Sequence, residues 1–306
     1  MSDNKLSNVR VDFLFLPSLK HLYLSRNNLT GSNENLFYGL SGLVTLDVED
    51  TGLNPISDRM FEQMNELRVL RLISNDIKTL ESRHFASLGF LKELYLDDNE
   101  IESIPTNAIE TLLTWSGNNI VTIEDDAFLH LTKLKELDLS NNTLKSFASA
   151  VFDPLKNLDK LILDGNTFSY LPNTLLNAPL KNIRILSINR NPMVRIRQDL
   201  STTGNFKSLE TLRINRANIT IIASHDFLGF RNIVHLSLRH NKIVKISPGA
   251  FKPLTKLAVL DIGFNNIDIL PEERLYGLKK LKTLNLTSNR ILNFQFSVRT
   301  LNKLRP

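Results

Sequence analysis

Cysteine is absent from all 306 residues, which excludes disulfide scaffolds, thiol chemistry and Cys-ligated zinc. No run approaches the roughly 18 uninterrupted apolar residues that a spanning helix needs. The start, Met1-Ser2-Asp3-Asn4-Lys5, lacks the apolar stretch of a signal peptide. Missing too are a Gly-rich phosphate loop, a G-x-S-x-G elbow and an H-E-x-x-H pair, and of the six His four are scattered while His235 and His240 stand five residues apart. No catalytic residue, metal site or cofactor is therefore expected. What the chain does have is apolar material: 42% of its residues are hydrophobic, enough to bury a core and too much for a disordered polymer.

That material is periodic. The pattern L-x-x-L-x-L-x-x-N-x-L recurs twelve times, as in Leu19-Leu22-Leu24-Asn27-Leu29 and Leu281-Leu284-Leu286-Asn289-Ile291. Its Asn position reads Asn27, Thr51, Asn75, Asn99, Asn118, Asn142, Asn166, Asn191, Ala217, Asn241, Asn265 and Asn289. The spacing is 24 residues in eight of eleven steps, with 19 between Asn99 and Asn118 as the strong exception. Alternation in x-L-x-L-x has period two, so each repeat supplies a short strand with its Leu residues inward. An inward Asn can pair backbone groups where the chain turns. Thr51 can do part of that work; Ala217 cannot, so a local defect or a water is expected there. Trp115, the only Trp, falls on an inward Leu position of the short repeat.

On these residues the chain resembles the leucine-rich repeat family, over essentially its whole length. A second spine stands ten residues after the ladder position: Phe37, Phe61, Phe85, Phe128, Phe152, Phe227 and Phe251, with Leu176 and Leu275 substituting. Together with the 24-residue period this is similar to the typical extracellular subclass, chaoptin-type adhesion proteins and Toll-type receptor ectodomains among them. The resemblance implies an α/β-type repeat fold: a leucine-rich repeat solenoid (horseshoe) with a concave parallel β-sheet of about twelve strands and an irregular convex side. Residues 1–306 then read as a single array. In it, 1–18 are the tail of a truncated preceding repeat, 19–291 the twelve repeats and 292–306 an incomplete one, without caps. Open edges of this kind invite self-association.

The net charge of +5 is unevenly distributed: residues 1–166 carry 15 Lys and Arg against 25 Asp and Glu, residues 167–306 carry 22 against 7. Side chains flanking the inward Leu residues point to the concave face. Its acidic candidates are Asp47, Glu49, Asp50, Asp97, Asp98 and Asp138, and its basic candidates Arg184, Arg190, Arg213, Arg216, Arg239, His235 and His240. Tyr23, Tyr95 and Phe264 are expected as exposed aromatics, a class favoured at binding hot spots. Sequons at Asn28, Asn141, Asn218 and Asn285 are candidate glycosylation sites.

The reading that follows is a non-catalytic recognition module, located outside the cell or on its surface, that binds a protein ligand or a second copy of itself. Membrane attachment would come only through segments absent from this chain, and no small-molecule substrate is expected. Two other readings remain open. One is a receptor for a polyanion, heparan sulfate or nucleic acid, through the Arg-rich half. The other is an intracellular leucine-rich repeat scaffold.

Overall fold

The computed structural model describes residues 2–4, 16–104, 112–197, 206–270 and 275–292. Phe13, the segment 105–111 of the short repeat, Leu301 and Leu304 lie outside the described residues. The chain divides into two compact units, residues 1–144 with 148–155, and residues 145–147 with 156–306.

Unit 1 carries β1 (His21–Tyr23), β2 (Thr45–Asp47), β3 (Val69–Arg71), β4 (Glu93–Tyr95), β5 (Ser103–Ile104), β6 (Leu112–Thr114), β7 (Thr122–Ile123) and β8 (Glu136–Asp138). Six of these pair in parallel as β1-β2-β3-β4-β6-β8, with Leu22, Leu46, Leu70, Leu94, Leu113 and Leu137 in register. Strands β5 and β7 form a separate pair.

Unit 2 repeats the plan. It holds β9 (Lys160–Ile162), α1 (Asn173–Asn177), β10 (Ile185–Ser187), β11 (Thr211–Arg213), β12 (Ile221–Ile222), β13 (His235–Ser237), β14 (Lys245–Ile246), β15 (Val259–Asp261) and β16 (Thr283–Asn285). Its strands β9-β10-β11-β13-β15-β16 pair in parallel with Leu161, Leu186, Leu212, Leu236, Leu260 and Leu284 in register, and β12 pairs with β14 apart from them. Parallel strands joined by short irregular segments, with little helix, make this a leucine-rich repeat solenoid. No helix among the described residues is long and apolar enough to cross a membrane.

Leu alternation buries the inward side of each strand. Leu24, Leu46, Val48, Leu70, Leu72 and Leu96 are fully buried, and Leu22 is nearly so. Behind them run the stacked rings. Phe61 lies 6.2 Å from Phe37 and 6.2 Å from Phe85, with near-parallel planes. In unit 2 Phe227 and Phe251 are 5.8 Å apart, while Leu176 and Leu275 fill the same role and are buried. Trp115 is buried at its Leu position, but its indole Nε1 has no acceptor among the described residues.

The ladder Asn side chains answer the turn that follows each strand. Asn99 Nδ2 donates to Leu72 O, Leu96 O and Asp97 O, while its Oδ1 accepts from Asn75 N and Ile77 N. Thr51 Oγ1 reaches Val48 O at 2.9 Å and Asn75 Oδ1 at 2.8 Å, part of the same job. The residue just before each ladder position has a left-handed backbone. These are Arg26, Asp50, Ser74, Asp98, Gly117, Asn141, Gly165, Arg190, Arg216, His240, Phe264 and Ser288, with φ between 52 and 70°. For a residue with a side chain this conformation costs about 1 kcal/mol or more. Backbone bonds to the next repeat accompany it, as from Asp50 N to Ile73 O and from Arg216 N to Arg239 O, with or without an Asn beside it.

Candidate functional site: the outward strand face

In each unit the side chains between the inward Leu residues stand on one exposed face. In unit 2 that face joins cations to an aromatic ring. The Arg239 guanidinium carbon lies 4.5 Å from the centroid of Phe264, and the His240 ring stacks on Phe264 at 4.3 Å. Arg213 and His235 occupy exposed positions in β11 and β13, and Arg216 is exposed just beyond β11. Arg213, Arg216 and Arg239 meet no carboxylate within ion-pair distance among the described residues, and Arg239 Nε is buried without an acceptor. An open groove of about 390 Å³ runs across β11, β13 and β15, lined by Thr211, Arg213, His235, Ser237, Val259 and Asp261 among others.

A second polar ladder stiffens this face. Asp164 accepts from Asn189 N and Nδ2, Asn189 Oδ1 accepts from Asn215 N, and Asn215 Oδ1 accepts from Ser237 Oγ and Arg239 N. Sequence reading missed Asn189, Asn215 and Ser237. The available signal was that Asn189 and Asn215 both stand two residues before a ladder position.

The unit 1 face is different in kind. Asp50 and Asp98 are exposed, and Asp47, Glu49, Asp97 and Asp138 are half-buried. Several of them cap their own turns: Asp47 Oδ1 accepts from Glu49 N and Asp138 Oδ1 from Ser140 N. Asp97 accepts from Thr114 Oγ1 and Ser116 N, yet burial pushes its carboxyl above the ordinary value. Arg71 stands over Tyr95 at 4.5 Å, and the Tyr95 hydroxyl donates to Glu93. Among the described residues no three His, Asp or Glu side chains gather as metal ligands.

A family model described as leucine rich repeat matches residues 1–53, 41–101, 111–168 and 231–291. The chain belongs to the leucine-rich repeat family. Leucine-rich repeat-containing G-protein coupled receptor 5 of Rattus norvegicus is 33% identical over 135 residues, 44% of this chain and 14% of the receptor. Human lumican is 34% identical over 148 residues, 46% of this chain and 40% of lumican. The chain thus spans less than half the length of these relatives. Its fold is also that of a chain in the Drosophila Toll–Spatzle complex, at a TM-score of 0.72 and 21% identity, covering 88% of this chain and 36% of that one.

Set on the repeats, the expected site residues sort themselves. Arg239 and His240 come together with Phe264, while Arg213 and His235 line the groove across β11, β13 and β15. Arg190 and Arg216 lie in the left-handed positions beside the ladder. Arg184 precedes β10 and is held by Asp159, with its Nη2 2.8 Å from Asp159 Oδ2, so its charge is answered internally. Of the three aromatics expected to be exposed, only Tyr23 is, at 48%. Tyr95 and Phe264 are half-buried because Arg71 covers one, and Arg239 with His240 the other. Asn28 and Asn141 are exposed, whereas Asn218 and Asn285 are half-buried.

Proposed function

We propose that this repeat array is a non-catalytic recognition module of a receptor or cell-adhesion protein at the cell surface, and that it takes a protein partner on the outward strand face of unit 2. The observation that carries this reading is the Arg239–Phe264–His240 stack, with Arg213 and His235 lining a groove on the strands of the same face. Cations and a ring are already ordered on a hydrogen-bonded face, so little side-chain entropy remains to be lost on binding. Such groups are also the residue classes that dominate binding energies. A matching partner presents carboxylates around an apolar contact.

The test is to display the full chain in multivalent form against an array of secreted and cell-surface proteins, alongside Arg213→Glu/Arg239→Glu and Phe264→Ala forms. The reading expects a ligand whose binding drops at least about tenfold in both forms, the loss of roughly 1.4 kcal/mol or more. A protein ligand insensitive to both substitutions would refute it. Sedimentation of the chain alone decides whether that ligand is a second copy.

A further inference from the structure

A second charged feature of unit 2 lies off the strands. Each repeat enters its strand through an apolar-x-x-apolar segment, such as Leu155-Lys156-Asn157-Leu158 or Phe230-Arg231-Asn232-Ile233. The apolar ends of both segments are buried, so the residues between them face outward. Through the six repeats of unit 2 the first outward residue is Lys156, Lys181, Lys207, Arg231, Thr255 and Lys279, all exposed. Where Thr255 interrupts the series, Lys256 follows it. In unit 1 the same position reads Pro17, Ser41, Asn65, Gly89 and Thr132, and the one neighbouring cation between the apolar ends is Lys133, after Thr132. Solubility alone does not require that difference.

The row is also held in place. Asn182 Nδ2 donates to Lys156 O at 2.8 Å, Ser208 Oγ to Lys181 O at 2.5 Å and Asn232 Nδ2 to Lys207 O at 2.5 Å. Each bond ties the backbone of one cation to the next repeat. Beneath the row, Phe206 and Phe230 immediately precede Lys207 and Arg231, and their rings are 5.4 Å apart. That is the step from one cation to the next at its root.

Beside Arg231 opens a groove of about 790 Å³, lined by Ser224, His225, Lys252 and Thr255 among others. Its wall is fixed from below by buried Arg197, which donates to Asp226 O and Leu228 O. Asp226 is buried and accepts from Ala223 N, and Asp159 is paired with Arg184, while Asp153 and Glu210 are exposed near the row. None of Lys156, Lys181, Lys207, Arg231, Lys252 and Lys279 has an ion-pair partner among the described residues.

A line of unanswered cations, one per repeat, beside a groove with hydroxyl groups, fits a linear polymer with anionic groups on successive units. We propose that this flank of unit 2 binds a sulfated glycosaminoglycan of the heparan sulfate type. Lys ammonium groups are compact point charges with three donors each, suited to sulfate. The row positions hold no aromatic side chain and Tyr276 is a single exposed ring near its end, short of the succession of rings on which single-stranded nucleic acid stacks. The strand-face residues Arg213, Arg239 and Phe264 play no part, so the two readings stand or fall separately.

The test titrates a heparin dodecasaccharide against the full chain across a salt series. In Lys181→Ser/Lys207→Ser/Arg231→Ser, affinity should fall about tenfold or more, and the slope of log affinity against log salt by roughly 2–3. Two controls remove the same charge elsewhere: Lys242→Ser/Lys245→Ser/Arg290→Ser, and Arg213→Ser/Arg216→Ser/Arg239→Ser. Both should stay within about twofold of the native chain. Native-like heparin affinity in the row variant overturns the proposal, as does an equal loss in either control. Tighter row-dependent binding of a single-stranded oligonucleotide of equal charge overturns the choice of ligand. If the triple variant melts early, Lys207→Ser and Arg231→Ser singly decide, each lowering affinity at least about threefold and the slope by roughly 1, with an unchanged slope in both overturning the proposal.

Discussion

Replacing Ala217 by Asn should stabilise unit 2. At the neighbouring ladder positions the Asn Oδ1 accepts the N–H two residues beyond the previous ladder position. Ile219 N reaches Asn241, Ile243 N reaches Asn265, and Phe168 N reaches Asn191. At 217 the corresponding group is Met193 N–H, which is buried and has no acceptor among the described residues. The Asn Nδ2 elsewhere donates to two strand-end carbonyls, so that Leu238 O takes bonds from both Asn241 and Asn265. Ile188 O and Ile214 O, the two flanking Ala217, each receive only one, from Asn191 and Asn241. The backbone register is undisturbed, since Asn218 N donates to Met193 O at 2.8 Å as its counterparts do. Pairing the orphaned amide returns about 1–3 kcal/mol, and the second carbonyl bonds add less. Ordering the Asn side chain costs up to about 1 kcal/mol. The net gain is about 1–2 kcal/mol, a rise of several degrees in the melting midpoint for a unit of this size. Urea and thermal melts measure it, and hydrogen exchange at the Met193 amide locates it. An unchanged or lower midpoint with unaltered Met193 exchange refutes the reasoning.

Other outcomes follow from the same structure. Leu96→Asp places an unpaired carboxylate where the side chain is fully buried, and should cost about 4 kcal/mol or more and abolish the cooperative urea transition; a loss under about 1 kcal/mol would contradict the register. Phe61→Ala removes the middle ring of the Phe37–Phe61–Phe85 stack, with an expected loss of about 3–5 kcal/mol in urea melts. Burial holds His84 below the ordinary imidazole value despite Asp58, and its Nδ1 accepts from Glu81 N. The unfolded chain therefore binds the proton more readily. The stability of the neutral ring is present above about pH 6.5 and is lost as pH falls from there through the lower folded value. The melting midpoint should drop between about pH 7 and pH 5, and His84→Gln should flatten that slope; an equal slope in the variant would assign it to other groups.

The periodic features are those the sequence determined by itself. Leu22, Leu24 and their equivalents recur at two residues within a repeat and 24 between repeats, and any fold burying them all must stack the repeats in register. The Asn ladder and the Phe spine follow for the same reason, because each member meets its own counterpart one period away. Even the defect at Ala217 was legible, since it is a departure from that period. The tertiary structure decided what depends on unlike neighbours. That Phe264 is covered by Arg239 and His240, and that Asn189 and Asn215 form a second ladder, reflects pairs found in only some repeats. Expecting Tyr95 and Phe264 to be exposed treated each strand alone, whereas the residue that covers a ring comes from the strand 24 residues away. The left-handed residue before every ladder position shares no side-chain type, running from Arg26 to Phe264. The conformation persists beside Thr51 and Ala217 as well, where backbone bonds to the next repeat, such as Arg216 N to Arg239 O, accompany it, so only the folded chain reveals it.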